Sequence, residues 1–369
     1  MNNTETISST YNCSVSERRA RQIARQGLSE YLKIKKELEN SGVWQEQLKR
    51  VKDKYSQQLQ EAKFLTAKDW EILALMEFYD PETVEHCIAT FQLLHQKLRR
   101  PLEIIPGQQK IVLAEILDPQ NLEQVERATL LHDIGKVITI PPSVLHHHWS
   151  EQEWEEKAQE IVANLIEQKG SKEAARALKI PEHATENHQT VLAYLHYKGI
   201  RPLRIIAARE VLGPDQIQEL ERWGVSPDLT FREIIARHAR ASEQILNQAG
   251  FKDEAKLAAF HHSLDDEAKE LSLQSPQEQM QYFSKPAFLA QLVKIADLQH
   301  ALESERPYHP PFPKTQVMVF LIREAERGGL DPALVRAWIK DELGKIQDSL
   351  SDNKNDKNKE KIKRFLGES

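Results

Sequence analysis

Histidine and aspartate side chains recur at the ends of apolar segments in this chain. The segments ATLLHD, EIIARH, KLAAFHH and LVKIAD each end in an imidazole or a carboxylate that follows residues suited to a helix core. A buried group of this kind is costly without a partner, and a single one is usually satisfied within the core. Several on separate helices would each need a separate partner, whereas a shared cation cluster satisfies all of them. The candidate metal ligands are His86, His132, Asp133, His238, His261, His262 and Asp297.

The mixture of ligand types indicates which metals such a cluster would hold. Imidazole with carboxylate suits Mn, Fe or Zn better than Ca, and six or more ligands are too many for one tetrahedral zinc. We therefore expect at least two ions. Ions about 3.5–4 Å apart that share a carboxylate are the usual arrangement for phosphoester hydrolysis, because they clamp the phosphate and generate hydroxide at neutral pH. Asp133 and Asp297 are the candidate carboxylates, and Asp133 suits the bridging role.

Two charged residues near these ligands could extend the site. Glu82 precedes His86 by four residues, so both can point at one object from the same helix. Lys136 follows Asp133 by three residues and could neutralise a phosphate oxygen. It could equally be a lysine that complements the dipole at a helix C-terminus. Gly135 is expected to end the helix that carries the HD pair.

Most of the other histidines are not expected to be ligands. The chain has 14 histidines in all. Consecutive helical positions point about 100° apart, so His146, His147 and His148 cannot all face one site and are expected in a solvated turn. Those in polar helical segments are expected to be surface or hydrogen-bonded residues. They are His183, His188, His196 and His300.

The elements that must position these groups are predicted to be helices. Glycine (13) and proline (17) are scarce for a loop-rich or all-β protein. Apolar and polar residues nowhere alternate, as in a strand, over more than about four residues. Helical spacing is clear in the segment that carries the first histidine, where one buried stripe is expected. We predict an all-α fold, and the residues of that stripe are Val84, Ile88, Phe91 and Leu98.

Composition along the chain predicts three regions. Residues 1–74 are expected to be a disordered segment followed by a solvated helical arm, from about residue 16, that could form a coiled-coil hairpin or a homodimer contact. Residues 75–346 are expected to be a helical domain with a helical insertion at about 150–228. Residues 347–369 form a charged, low-complexity tail that is expected to be disordered.

Charge and hydropathy exclude several classes of function. The net charge is −6, and no Lys/Arg block outside the tail is long enough for a long nucleic acid. No window approaches 18 uncharged apolar residues, and the N-terminus lacks the features of a signal peptide. The two cysteines, Cys13 and Cys87, favour a reducing compartment over a disulfide framework. A cytoplasmic enzyme or regulator without a membrane partner is expected.

The order of these motifs resembles that of HD-domain metal-dependent phosphohydrolases, and of their HD-GYP subfamily in particular. HDIGKVITIPPSVL resembles the family's HDIGK and the short Ile-Pro segment after it, and IIARHARASEQIL resembles its next histidine helix. AAFHH resembles the family's double histidine. KIADLQHALESERPYHPP resembles the family segment in which an aspartate is followed by a DAL-like sequence and RPYR. GGLDPALVRAWI resembles the end of the family's domain. The resemblance covers roughly residues 78–150 and 228–343.

This resemblance implies an HD-domain helical bundle that holds two or three divalent ions, Mn or Fe first, with Mg, Zn or Ni as alternatives. It implies metal ligation by the seven residues given above and by Glu82 as the extra carboxylate of a third ion. Asp133 and Lys136 would be catalytic, and Lys136, Arg306 and His309 would bind substrate phosphate. The implied activity is a phosphodiesterase that hydrolyses cyclic di-GMP or a related cyclic dinucleotide with metal-activated hydroxide.

Two departures from the family keep other functions open. The text after His262 is SLDDEAKEL, which lacks both the acidic residue after the histidine pair and the GYP triplet. The insertion at about 150–228 is the second departure, and it could be a lid or a docking surface. A phosphohydrolase of another nucleotide or phosphoester is one alternative. A catalytically weak metal-binding regulator or scaffold, with partners on its N-terminal arm and insertion, is the other.

Overall fold

A computed structural model describes residues 32–33, 35–40, 42–104, 109–145, 151–178, 206–262, 281–305, 311–344 and 357–367. Regular structure in these ranges is almost entirely helical, with one antiparallel pair of two-residue strands, β1 (Pro101–Leu102) and β2 (Ile111–Val112). The prediction of an all-α fold is therefore confirmed. In the same ranges, no helix combines the length and the apolar character needed to cross a membrane.

The helices follow one another along the chain as α1 (Val43–Tyr55), α2 (Ala67–Tyr79), α3 (Pro81–Leu98), α4 (Leu113–Ile116), α5 (Pro119–Leu131), α6 (Lys136–Thr139), α7 (Pro142–Leu145), α8 (Glu151–Leu178), α9 (Pro214–Arg222), α10 (Phe231–Ala249), α11 (Lys252–Phe260), α12 (Pro286–Glu303), α13 (Lys314–Glu326), α14 (Pro332–Gly344) and α15 (Lys357–Leu366).

Five of these helices form the centre of the molecule. Helix α3 packs against α5 and α12, α10 packs against α11, and α11 packs against α5 and α12. The apolar residues fall into two large clusters, one around α12 to α14 and one around α1, α2 and the first half of α3. Helix α3 contributes to both clusters, and its predicted stripe of Val84, Ile88, Phe91 and Leu98 is fully buried. These five helices are also the ones that carry the candidate ligands.

Local sequence signals explain where the central helices begin. Asp80 caps α3 by accepting a hydrogen bond from the backbone of Glu82, and Pro81 occupies the first helical position. Asp118 and Pro119 begin α5 in the same way. Thr230 begins α10 with a reciprocal capping box. Because each start is fixed by a cap, the register that brings the later histidines to the core margin is fixed as well.

The prediction of a solvated N-terminal arm is wrong for helix α1. Trp44, Val51 and Tyr55 are buried against α2, and the Tyr55 hydroxyl donates a 2.6 Å hydrogen bond to buried Glu77. A sparse apolar stripe is sufficient here because α2 offers a continuous buried apolar segment, Ile72–Met76, in the same cluster. The predicted boundary at residue 74 cuts through α2, so it does not separate two structural units. Residues 1–31, which include the predicted disordered segment and the predicted start of the arm at about residue 16, lie outside the described ranges.

The prediction of a disordered tail is also wrong in part. Helix α15 packs against α13 and α14, with Ile362 and Leu366 buried and Lys361 paired with Glu326. Two apolar residues four positions apart are enough to dock an otherwise charged helix, and composition alone does not reveal this. Residues 345–356 and 368–369 lie outside the described ranges.

The described part of the insertion builds a third, small apolar cluster. Ile206 and Leu220 of the insertion pack with Val144 from α7 and with Phe231 and Ile234 from α10. This part of the insertion also contains a short 3-10 turn at Ala208–Glu210, followed by α9. Helix α8 lies at the start of the predicted helical insertion and is interrupted at Gly170 by a left-handed φ of 75°. Residues 179–205 of the insertion lie outside the described ranges.

Candidate metal site

The seven candidate ligands meet where the five central helices converge. Helix α3 supplies His86, and α10 supplies His238. Helices α5 and α11 end at His132 and His261, which are their C-terminal cap residues, so the imidazoles leave the core at a helix end. Helix α12 supplies Asp297. Two groups have ligand atoms that lie within 4.8 Å of one another: His86, His132 and Asp297 in one, and His238, His261 and His262 in the other.

The carboxylate of Asp133 lies between these two groups. Its Oδ1 is 3.0 Å from Nε2 of His238. Its Oδ2 is 3.7 Å from Nε2 of His86 and 3.5 Å from Nε2 of His132. One oxygen therefore faces each group, as a carboxylate shared by two cations requires. Within the first group, Nε2 of His86 lies 2.9 Å from Oδ1 of Asp297.

Three of the imidazoles are held in the orientation that metal binding requires. Nδ1 of His132 is 2.8 Å from the carbonyl oxygen of Thr129. Nδ1 of His238 and Nδ1 of His261 make the same contact with the carbonyls of Ile235 and Ala258. A carbonyl oxygen can only accept, so each Nδ1 carries a proton and each ring turns its Nε2 toward the cluster, where the deprotonated atom can bind a metal ion.

Nε2 of His132 supplies a direct test of fit. This atom is buried and makes no hydrogen bond, although it lies 3.5 Å from Oδ1 of Asp297 and from Oδ2 of Asp133. Buried polar atoms in native proteins are seldom left without a hydrogen-bond partner. A divalent cation between these three atoms would satisfy all of them, so the donor set fits a metal ion.

The charges of the cluster influence one another strongly. Burial opposes ionisation of Asp133, but the imidazole of His132 and the ammonium of Lys136 outweigh it and hold the pKa of Asp133 well below its usual value. Burial likewise opposes ionisation of Asp297, and His132 and His86 outweigh it and hold its pKa low. In return, Asp133 outweighs the effect of burial on His132 and raises its pKa well above the usual value.

The double histidine behaves in the opposite way. Burial, followed by repulsion from His262, holds the pKa of His261 well below its usual value. Desolvation among its neighbours, followed by repulsion from His238, lowers the pKa of His262 to about 3. His262 is nevertheless the exposed member of the group. Both rings are therefore neutral at physiological pH, as metal ligands must be.

Lys136 lies at the margin of the cluster. Its ammonium makes a hydrogen-bonded ion pair with Oδ2 of Asp133, and its side chain is 12% exposed. It begins α6 and does not lie at the C-terminal end of α5, which argues against the dipole role.

The role predicted for Gly135 is wrong. Helix α5 already ends at Leu131, and Gly135, with a right-handed φ of −64°, directly precedes α6. Its backbone N–H donates a 2.8 Å hydrogen bond to the hydroxyl of Ser242 on α10. Glycine is needed here because α10 passes directly against the backbone of the HD segment.

Several predicted site residues are not part of the described cluster. Glu82 is exposed, and none of the ligand groups found among the described residues includes it. Arg306 and His309 lie outside the described ranges, as do His146–His148, His183, His188 and His196. Cys87 lies within a third group, but its Sγ is 3.9 Å from Nδ1 of His132, on the side of the ring away from the cluster. Burial raises the pKa of Cys87, and a protonated thiol is a poor ligand.

Sequence reasoning missed one neighbour of the cluster. His300 was expected to be an ordinary surface or hydrogen-bonded residue, yet its Nδ1 is 2.7 Å from Nδ1 of His86. The available signal was its spacing of three residues from Asp297, which puts both side chains on one face of α12.

Comparison with protein-family models, with curated proteins and with solved structures finds no match to this chain. The resemblance to HD-GYP phosphohydrolases therefore depends on the sequence motifs alone.

Proposed function

We propose that this protein is a metal-dependent phosphohydrolase, built on an HD-type helical bundle, that cleaves the phosphodiester of a cyclic dinucleotide. The observation that carries this proposal is the carboxylate of Asp133, which directs one oxygen to each of two ligand groups. Bound divalent ions would neutralise phosphate charge and lower the pKa of water. Mn or Fe suits the mixed nitrogen and oxygen ligands best.

The protein's own residues would orient and stabilise the reaction. The carbonyls behind His132, His238 and His261 hold these rings with Nε2 facing the cluster. The ammonium of Lys136 lies beside Asp133, where it would stabilise negative charge that develops on a phosphate oxygen. Arg306 and His309, which follow α12 in the sequence, are proposed to bind substrate phosphate.

The choice of a cyclic dinucleotide depends on the ordered motifs, since HDIGK, the double histidine and the RPY segment occur together. The missing GYP triplet and the missing acidic residue after His262 favour a second candidate, a phosphohydrolase of another nucleotide or phosphoester. The two candidates share the metal site and differ only in substrate.

The test is metal analysis of the purified protein together with hydrolysis assays on the Mn- and Fe-loaded forms. We expect at least two ions per chain and turnover of a cyclic dinucleotide, with turnover lost in Asp133→Asn. Asp331→Asn is the matched control, because Asp331 is equally buried but caps α14 away from the cluster.

The outcomes separate the alternatives. Turnover of mononucleotides or simple phosphoesters only would replace the cyclic substrate with the second candidate. Full metal loading without turnover of any substrate would indicate a regulator or scaffold. Absence of stoichiometric metal, with activity unchanged in Asp133→Asn, would refute the proposal as a whole.

A further inference from the structure

We propose that His300 is a positioning residue that holds His86 in the orientation needed to bind a metal ion, and that Ser304 holds His300 in turn. This inference depends on the metal site of the proposed function. The side chains of His86 on α3 and His300 on α12 join the two helices at the edge of the cluster.

The contact between the two imidazoles is a hydrogen bond between like atoms. Nδ1 of His86 lies 2.7 Å from Nδ1 of His300, and the two rings are tilted by 32° with their centroids 4.9 Å apart. One Nδ1 must therefore carry a proton and the other must not. Nε2 of His300 lies 3.2 Å from the hydroxyl of Ser304, which also lies 2.7 Å from the carbonyl oxygen of His300.

Metal binding by His86 determines the direction of this chain of hydrogen bonds. A ligating Nε2 carries no proton, so Nδ1 of neutral His86 must carry it and donate to Nδ1 of His300. The proton of His300 then lies on Nε2 and is donated to the Ser304 hydroxyl. The hydroxyl proton of Ser304 is donated to the carbonyl of His300. Each group in this series of hydrogen bonds therefore donates or accepts as its chemistry allows.

The series of hydrogen bonds can also be reversed, so that each donor becomes an acceptor, without a change in the number of protons. When Nε2 of His86 donates to Oδ1 of Asp297, 2.9 Å away, Nδ1 of His86 must accept from His300. Nε2 of His300 then accepts from the Ser304 hydroxyl. An imidazole at position 300 can serve in both arrangements because it can donate or accept at either nitrogen. A carboxylate there could only accept, and an ammonium could only donate.

His86 thus differs from its neighbours in what holds it. The rings of His132, His238 and His261 are oriented by backbone carbonyls, which no substitution removes. His86 is oriented by a side chain on α12, the helix that also supplies Asp297. A substitution at position 300 should therefore lower the metal affinity of the group composed of His86, His132 and Asp297 and leave the affinity of the other group unchanged.

The test is titration of the full chain with Mn²⁺ after metal removal, in wild type and three variants at position 300. His300→Ala removes the partner of His86. Asn places an amide oxygen near the position of Nδ1, whereas Gln places it near the position of Nε2. We expect His300→Ala to lower the affinity for one Mn²⁺ by roughly 10–100-fold and to leave the affinity for the other unchanged. Asn should restore most of the affinity, and Gln should restore less.

Two controls separate positioning from general damage. His95→Asn changes another histidine on α3, one that pairs with Glu126 instead of a candidate ligand, and should leave both Mn²⁺ affinities unchanged. Imidazole ¹⁵N spectra of the Zn²⁺-loaded protein should show a proton on Nδ1 of His86 in wild type. Ser304→Ala should weaken the same ion as His300→Ala, by a smaller factor.

Each contrary result has a distinct meaning. If wild type binds two ions and His300→Ala binds both with unchanged affinity, the role of His300 is refuted while the metal site stands. If His300→Ala loses both ions equally and unfolds more readily without metal, its role is structural and the inference is overturned. If wild type binds no Mn²⁺, Fe²⁺ or Zn²⁺, the proposed site itself fails, and this inference with it.

Discussion

The carbonyl oxygen of His238 lies 2.0 Å from the point where a Cβ atom on Gly135 would stand. The backbone nitrogen of Ser242 lies 2.5 Å from the same point. Backbone atoms of a packed helix cannot give way as the end of a flexible side chain can. Glycine at position 135 therefore sets the distance between the HD segment and α10, and with it the distance from Asp133 to His238.

We predict that Gly135→Ala destabilises the fold and weakens metal binding together. A methyl group here must push α10 away, at a cost of about 1–3 kcal/mol for overpacking. Chemical denaturation and Mn²⁺ titration would measure the two effects. Gly344→Ala is the control, because nothing lies within 4 Å of its Cβ position, and it should leave both quantities near the wild-type values. Normal metal binding in Gly135→Ala would contradict the proposed role of this contact.

The two carboxylates should differ in how many ions they hold. Asp133 faces both ligand groups, whereas Asp297 belongs to the group of His86 and His132. We therefore expect Asp133→Asn to weaken the binding of both ions and Asp297→Asn to weaken the binding of one. Each loss should exceed the roughly 10–100-fold typical of a residue that only supports a ligand. Metal content measured after equilibrium dialysis would decide the matter, and an identical stoichiometry in the two variants would count against a shared Asp133.

Metal uptake at neutral pH should release a proton from His132. The pKa of this imidazole is raised well above its usual value by Asp133, so the ring is protonated when no metal is present. A ligating Nε2 must be deprotonated, and the affinity should therefore rise with pH until the raised pKa is passed. His261 and His262 have lowered pKa values and contribute no such dependence at neutral pH. Calorimetry in buffers of different ionisation enthalpy measures the release, and a heat independent of buffer would contradict it.

Helix α1 should behave as part of the core. Tyr55→Phe removes the hydroxyl that donates to buried Glu77, and leaving that carboxylate short of a donor should cost about 1–3 kcal/mol. Val43→Ala on the exposed side of the same helix should change stability by no more than about 0.5 kcal/mol. Urea unfolding measures both changes. Equal stability of Tyr55→Phe and wild type would indicate that α1 is a detachable arm after all.

The candidate ligands could be selected from the sequence because their helices end, or pass the core margin, at polar residues. A histidine directly after an apolar segment such as LL or AAF is a polar residue at a position where the helical pattern predicts burial. His300 was missed because its surroundings, LQHAL, look ordinary and its partner is 214 positions away in the chain. Helices α1 and α15 were misjudged for a related reason, since a sparse apolar stripe reveals its burial only when its packing partner is known.

The sequence by itself determined the helical class, the buried stripe of α3 and the set of residues able to bind a metal, because these depend on residue type and on spacing within one helix. Only the tertiary structure decided which oxygen of Asp133 faces which histidines, why position 135 must be glycine and which residue orients His86. Those relationships join α3, α5, α10 and α12, and contacts between helices far apart in the chain arise from packing, which spacing along one helix does not encode.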